Sequence, residues 1–264
     1  MKTLIKVIRE QFDYKNQILE MSKIDFTNTY GKKSIDWFQT ILNPILTIFA
    51  YWFAFAIALG IGQKTNGFPY FLWLLSGLIP WFYMKVMLVE GTDCIIKYSD
   101  WANKMKVPVS IIPTFVNISK FIVHSICIYL LIVIFRLFGY AADIYLLQLP
   151  FYMLLTFIFL NIWSLFSSLM TVKNKKYSNF VKSIITVIFW LSAIMWNPKS
   201  IKNKLLRKIL RLNPITYLVE GYRNCFINKV WFWQSPKTLI CFIAITFILG
   251  VLVLFIYKKH EKSQ

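Results

Sequence analysis

The sequence predicts an all-α membrane protein of six transmembrane helices, with an amphipathic interface helix at the N-terminus, an amphipathic helix in a cytoplasmic loop and a re-entrant outer segment before the last span. Three observations carry this. The 264 residues are 58% hydrophobic and 18% aromatic, with mean hydropathy +0.57, more apolar surface than a soluble domain can bury. The apolar residues fall into runs of about twenty, the length that crosses a hydrocarbon core of about 30 Å. The basic residues collect at alternate loops, as positive-inside orientation requires.

Residues 1–40 are expected to be a cytoplasmic amphipathic segment. Lys2, Lys6, Arg9, Lys15, Lys23, Lys32 and Lys33 share it with Leu4, Ile8, Phe12 and Leu19, spaced roughly to one helical face, which suits a basic helix lying on the inner leaflet. It can serve as a surface anchor or a partner-binding arm. The first apolar run begins too late and runs too long for a cleavable leader. The transmembrane domain follows over 41–257, with spans at about 41–61, 68–89, 113–138, 149–171, 180–196 and 238–257, then a cytoplasmic tail over 258–264. Pro80 falls near the middle of the second span and predicts a kink; Asn197-Pro198 stops the fifth early.

With the N-terminus inside, the cytoplasmic loops receive Lys97, Lys104 and Lys106, then Lys173, Lys175, Lys176 and Lys182, and the tail holds Lys258, Lys259 and Lys262, against Lys64 and Arg136 outside. The stretch Glu90 to Pro113 is a polar island between the second and third spans. Ile95, Tyr98, Trp101 or Ala102, and Met105 recur at helical spacing while Lys97, Asp100 and Lys104 take the other face, with Pro108 expected to end the helix. It reads either as a docking surface for a soluble partner or as a loop resting on headgroups.

The loop over 197–236 disobeys the charge rule. It carries Lys199, Lys202, Lys204, Arg207, Lys208, Arg211, Arg223 and Lys229, yet an even number of spans places it outside. Leu205, Leu206, Ile209, Leu210 and Leu212 interleave with its charges as a surface helix. After Asn213-Pro214, the residues Ile215, Leu218, Val219, Tyr222 and Phe226 form a second helical pattern too short to cross, as in a re-entrant segment. The alternative is a fifth span that does not cross, which would leave this loop inside.

Chemistry is sparse. The net charge of +19 does not gather into one stripe, which argues against nucleic acid as a partner. There is no GxxxxGK[ST] loop, so the chain itself does not cradle ATP. Cys94, Cys127, Cys225 and Cys241 stand singly, and His124 and His260 are far apart, so no metal site is indicated. Lys120 and His124, one turn apart in the third span, read either as a snorkelling lysine and a hydrogen-bonded histidine or as functional intramembrane groups. The acids noted, Glu90, Asp93, Asp143 and Glu220, form no shared carboxylate site of the sort a transferase needs, and Glu220 and Arg223 can pair locally. Aromatics are plentiful: Tyr51, Trp52, Phe55, Trp73, Trp81 and Tyr83 fall in the first two spans, Trp190 and Trp196 at the fifth. Most suit interfacial belts and packing; some, turned inward, could face sugars.

An N-terminal segment leading to Tyr30 and Leu42-Asn43-Pro44, the runs AYWFAFAIALGIG and FPYFLWLLSGLIPWFY, the loop EGTDCIIKYSDWANKMKVPVSIIPTFVNISKFIVH and the segment LNPITYLVEGYRNCF together resemble the membrane subunits of type-two ABC exporters for cell-envelope polysaccharides, most nearly the teichoic-acid translocation permeases. The sequence departs from that pattern ahead of Asn43-Pro44, where Ile35, Asp36 and Gln39 replace a Leu-Gly pair and a Trp. The resemblance implies a non-catalytic subunit, working as a homodimer with two copies of an ABC ATPase that binds ATP and magnesium, and carrying no cofactor itself. It implies a multi-pass protein in a bacterial, Gram-positive plasma membrane, both termini cytoplasmic, moving a lipid-linked polymer among membrane lipids. Ile95, Lys97, Tyr98, Asp100, Trp101, Lys104 and Met105 would be the ATPase-coupling helix. Tyr51, Trp52, Phe55, Trp73, Trp81, Tyr83, Lys120 and His124 are candidates for the polymer path, and Lys204, Arg207, Arg211, Tyr217, Glu220, Tyr222 and Arg223 for the outer exit. The rival readings are a small-molecule or ion transporter or channel, and an integral transferase acting on lipid-linked sugars.

Overall fold

The computed structural model describes residues 2–31, 34–58, 60, 64–65, 67–198 and 201–261, with side chains for all of these except 2, 34–41, 64–65 and 261. Expectations resting on Lys2, Lys32, Lys33, Ile35, Asp36, Gln39, Lys64, Lys199 and Lys262 lie outside the described side chains. The chain is an all-α membrane protein. Among the described residues four helices are long and apolar enough to cross a membrane: Tyr70–Met105, Val109–Leu137, Ile144–Lys173 and Pro236–His260. The runs expected as first and fifth spans form shorter helices, Leu42–Ala58 and Lys176–Leu191.

The N-terminal segment is two helices, α1 (Lys2–Asp13) and α2 (Lys15–Tyr30), divided at Tyr14. Lys6–Glu10 (3.9 Å) and Arg9–Asp13 (3.3 Å) tie successive turns of α1. Leu4, Ile8, Phe12 and Leu19, expected to share an apolar face, are all exposed, as a face laid on lipid would be. The opposite side does the docking: Ile18, Met21, Ser22 and Asp25, spaced by a helical turn, are buried and α2 packs on α5.

Helix α3 (Ser34–Trp52) contains Pro44 and continues as a π-helical turn over Phe53–Ala58, the looser winding that appears where the regular ladder is interrupted. A two-residue hairpin, β1 (Lys64–Thr65) and β2 (Phe68–Pro69), follows, with Gly67 at φ 81° supplying the turn. Helix α4 (Tyr70–Met105) then runs 36 residues without interruption through Pro80, about 54 Å at 1.5 Å per residue. That exceeds the hydrocarbon thickness by about 24 Å. The polar island is therefore the protruding end of a spanning helix, and the separate short helix expected there does not form. Nor does Pro108 end it. Lys106 adopts a left-handed conformation (φ 51°), and Val107 N–H bonds back to Ala102 O at 3.1 Å, a C-terminal closure of the Schellman kind.

Helix α4 is the centre of the bundle, packed against α5 (Ile112–Leu137), α6 (Leu149–Lys173), α7 (Lys176–Leu191) and α9 (Pro214–Arg223). Its contact with α6 is close because Gly91 has no Cβ to meet the Ser164 side chain, and one turn along Thr92 Oγ1 and Ser167 Oγ lie 2.6 Å apart; small and hydroxyl residues are what draw helices together in lipid. Helix α7 ends at Leu191, short of the expected Trp196, because Ala193 turns left-handed (φ 52°). Asn203 caps α8 (Lys204–Arg211) and Asn213 caps α9, each accepting backbone N–H groups. Helix α10 (Pro236–Glu261) is the last described element.

Side-chain bonds group the helix ends into two opposite sets. At one end Glu10 of α1 accepts from Ser110 ahead of α5 and from Tyr257 of α10 (3.0 Å), while Lys182 of α7 pairs with Asp93 of α4 at 2.7 Å. At the other end Tyr70, which opens α4, donates to Met195 O beyond α7 (3.1 Å), Lys229 pairs with Asp143 (2.8 Å), and Gln148 bridges Val230 and Phe232.

Candidate functional site

Helix α4 carries three polar clusters, one at each end of the bundle and one between. The one at the Glu10 end is a buried ion network. Asp25 of α2 is fully buried, and its carboxylate meets Lys120 Nζ at 3.4 Å and Lys97 Nζ at 3.5 Å while accepting from Tyr98 Oη. Lys120 also reaches Glu90 at 3.1 Å and Thr29 Oγ1 at 3.1 Å, and lies 5.0 Å from the centre of the Tyr30 ring. Lys120 is 2% exposed, so it is a buried, paired cation and does not snorkel. Two carboxylates, Asp25 and Glu90, do share one site; the sequence reading overlooked Asp25. Its signal was the spacing Ile18, Met21, Ser22, Asp25, which sets an acid on the packed face of α2.

Burial alone would push the Asp25 carboxyl up, but Lys120, the Tyr98 hydroxyl and Lys97 outweigh it and hold the group below the usual carboxylate value of 3.8. Helix α2 is thereby fastened to α4 and α5 by charge as well as by packing.

The middle cluster joins α4, α5, α6 and α9. His124 stacks on Tyr83 with centroids 4.6 Å apart, and its Nε2 lies 2.9 Å from Tyr222 Oη. Tyr83 donates to Asn117 Oδ1 (2.5 Å), and Asn117 Nδ2 to Phe157 O (3.0 Å). His124 is thus hydrogen-bonded and enclosed.

The cluster at the Tyr70 end centres on Arg223 of α9, which is completely buried. Its Nη1 donates to Ala193 O (2.7 Å) and pairs with Glu220 (2.9 Å), Nη2 donates to Ile194 O (2.5 Å), and the guanidinium lies 3.6 Å over the Trp73 ring. A Cβ at Gly77 would overlap that guanidinium. The fork thus occupies the carbonyls freed where α7 turns, which explains why α7 stops early.

The predicted site residues separate accordingly. Of the coupling set, Ile95 is buried, Tyr98 bonds Asp25 and Trp101 packs edge-on against Phe115 at 5.6 Å; the surface left open towards the tip of α4 includes Ile96, Lys97, Asp100, Asn103, Lys104 and Met105. Of the path set, Trp73, Tyr83, Lys120 and His124 are interior and committed to the partners above. Trp52 packs on Phe71 (6.1 Å), and Phe55 is half-buried. Tyr51 and Trp81 instead flank Phe189, at 5.6 and 5.5 Å, in an open cleft of about 110 Å³ between α3, α4 and α7. Of the exit set, Lys204 and Arg211 are exposed and Arg207 half-buried on α8, whereas Tyr217, Tyr222 and Arg223 are buried beneath it and Glu220 is partly covered. One further cation went unremarked in the sequence, Lys85, which lines the aromatic cleft from within the second apolar run.

Two kinds of comparison bear on this arrangement. The family model described as "ABC-2 type transporter" matches residues 16–227. Among curated proteins, the O-antigen export system permease protein RfbA of Myxococcus xanthus is 19% identical over 99% of this chain and 99% of its own length. The protein of the same name from Klebsiella pneumoniae is 25% identical over 89% of this chain and 88% of its own. The match spans α2 through the turn after α9 and so takes in all three clusters on α4: the chain belongs to the ABC-2 type transporter family of transporter membrane subunits, which implies an ABC ATPase as partner.

Proposed function

We propose that this chain is the permease of an ATP-driven exporter that moves lipid-linked teichoic acid, or a related cell-wall or capsular polysaccharide, from the inner to the outer face of a bacterial plasma membrane. The carrying observation is the family match over 16–227 together with near full-length similarity to two O-antigen export permeases; these relatives support polysaccharide as the class of cargo. Two chains pair with two ATPase subunits, which hold the ATP and magnesium. The ATPase seats on the protruding tip of α4, through Ile96, Asp100, Asn103, Lys104 and Met105, since Trp101 is spent on packing against α5. In a deletion strain, lipid-linked polymer is expected to accumulate at the inner face. Lys104→Glu combined with Met105→Asp should reduce ATPase co-purification about tenfold, as loss of a central contact does, and stop export. Undiminished co-purification and export would remove the assignment.

Six crossings, with both termini inside and 197–236 outside, are supported by the two sets of helix ends. Helix α7 begins beside Lys182–Asp93 at the end that holds Glu10 and Tyr257, and finishes beside Tyr70 and Arg223 at the other. A cysteine at Lys202 should be labelled in intact cells by an impermeant reagent, and one at Lys175 only after permeabilisation. Reversed labelling would mean that α7 does not cross.

A further inference from the structure

Lysines along the bundle reach carboxylates: buried Lys120 and half-exposed Lys97 meet Asp25, and half-exposed Lys182 and Lys229 meet Asp93 and Asp143. Among the described residues Lys85 does not. It stands fifteen residues into α4 from Tyr70, about 22 Å along the helix and so within the hydrocarbon depth measured from the outer end. Its side chain is exposed, and among the described residues it has no ion-pair partner. Asp93, further along α4, is already held by Lys182 at 2.7 Å.

The surroundings of Lys85 are specific. It opens into the cleft of about 110 Å³ whose other walls include Tyr51, Trp81, Phe82, Thr186, Phe189 and Trp190. An uncompensated cation at such a depth is costly and marks function more often than packing. The volume is well below the roughly 300–1,000 Å³ of a complete small-molecule site. It suits one headgroup-sized fragment of a larger molecule that remains in the bilayer. Aromatic walls accept an apolar chain or a sugar C–H face beside that fragment, and a cation favours an anionic oxygen through a charge-assisted hydrogen bond.

We infer that this cleft binds the phosphate or diphosphate group of a membrane lipid, with Lys85 as the anion contact and the aromatic walls holding the first part of the attached chain. The phosphate is that of an ordinary anionic phospholipid or of the prenyl carrier of a lipid-linked cargo; the latter source alone rests on the exporter reading.

The test uses the purified full-length chain in phosphatidylcholine nanodiscs, with farnesyl diphosphate and phosphatidylglycerol as probes and farnesol as the uncharged control. Farnesyl diphosphate, phosphatidylglycerol or both should bind, and Lys85→Gln should weaken that binding about tenfold, while Lys85→Arg stays within about threefold of the parent. Thr186→Phe, which crowds the cleft and leaves the charge, should weaken it as well. Farnesol should bind weakly in all four proteins, and equally in the parent, Lys85→Gln and Lys85→Arg. The probe that shows the Lys85 dependence identifies the phosphate source. Equal binding by the parent and Lys85→Gln overturns the inference. So does a change confined to the monomer–dimer equilibrium, which would mean that a second copy of the chain covers Lys85. No ATPase or polymer enters the assay, so loss of export in cells and loss of lipid binding in nanodiscs are separate failures.

Discussion

Arg223→Ala should destabilise the protein by about 3–5 kcal/mol, the cost of removing one partner from a buried charged pair, and lower its unfolding midpoint in detergent by roughly 10 °C. The guanidinium serves four partners at once: the carbonyls of Ala193 and Ile194, the Glu220 carboxylate and the Trp73 face. Alanine leaves two carbonyls and a carboxylate unsatisfied where water has little access. Lysine cannot reproduce a planar fork, so Arg223→Lys should recover less than half the loss. Gly77→Ala tests the same contact from the α4 side, because the added Cβ collides with the guanidinium while every hydrogen-bonding group is kept. An unchanged midpoint in Arg223→Ala would show that the contact between α9 and the end of α7 contributes nothing to stability.

Loosening of α2 is the second large effect expected, produced by Asp25→Asn or Lys120→Met. Either change strands a charge: Lys120 keeps only Glu90 in the first, and Asp25 keeps only Lys97 in the second. Hydrogen exchange over Lys15–Tyr30 should rise at least about tenfold, as for a unit whose local opening has become easier, with exchange in α6 unaltered. Uniform protection in both variants would mean that packing by Ile18 and Met21 suffices.

The network also sets a pH dependence. The Asp25 carboxyl is held below its ordinary value of 3.8. A depressed folded-state pKa contributes stability that is fully present above the unfolded value and is lost as pH falls through the folded one. Docking of α2 should therefore be indifferent to pH between 7 and about 5 and weaken only below about 4. Exchange over α2, corrected for the intrinsic rate, reads this directly. Weakening near neutral pH would assign the control to another group.

Much of the architecture was legible in the chain because membranes impose a coarse rule. Runs of about twenty apolar residues must become helices, and α4, α5, α6 and α10 obey it. The short pattern after Asn213-Pro214 also declared itself, since a proline following a capping Asn starts a helix and ten residues cannot cross. The expected pairing of Glu220 with Arg223 followed from spacing alone and is present at 2.9 Å.

What periodicity does not contain is which face finds a neighbour. Ile95, Tyr98 and Trp101 were legible as one helical face, but only the placement of α2 and α5 decided that this face turns inward, leaving Lys104 and Met105 outside. Lys120 and Asp25 are 95 positions apart in the chain, and nothing local to either announces the other. The sequence by itself determined that the apolar runs are helical and which family they belong to, because these depend on local hydrophobicity and on motifs within one segment. Tertiary structure alone decided that Arg223 closes the end of α7, that Asp25 and Glu90 share Lys120, and that Lys85 meets no carboxylate among the described residues. Each of these is an electrostatic balance, and a charge in low dielectric is stabilised or stranded by whichever distant helix happens to reach it.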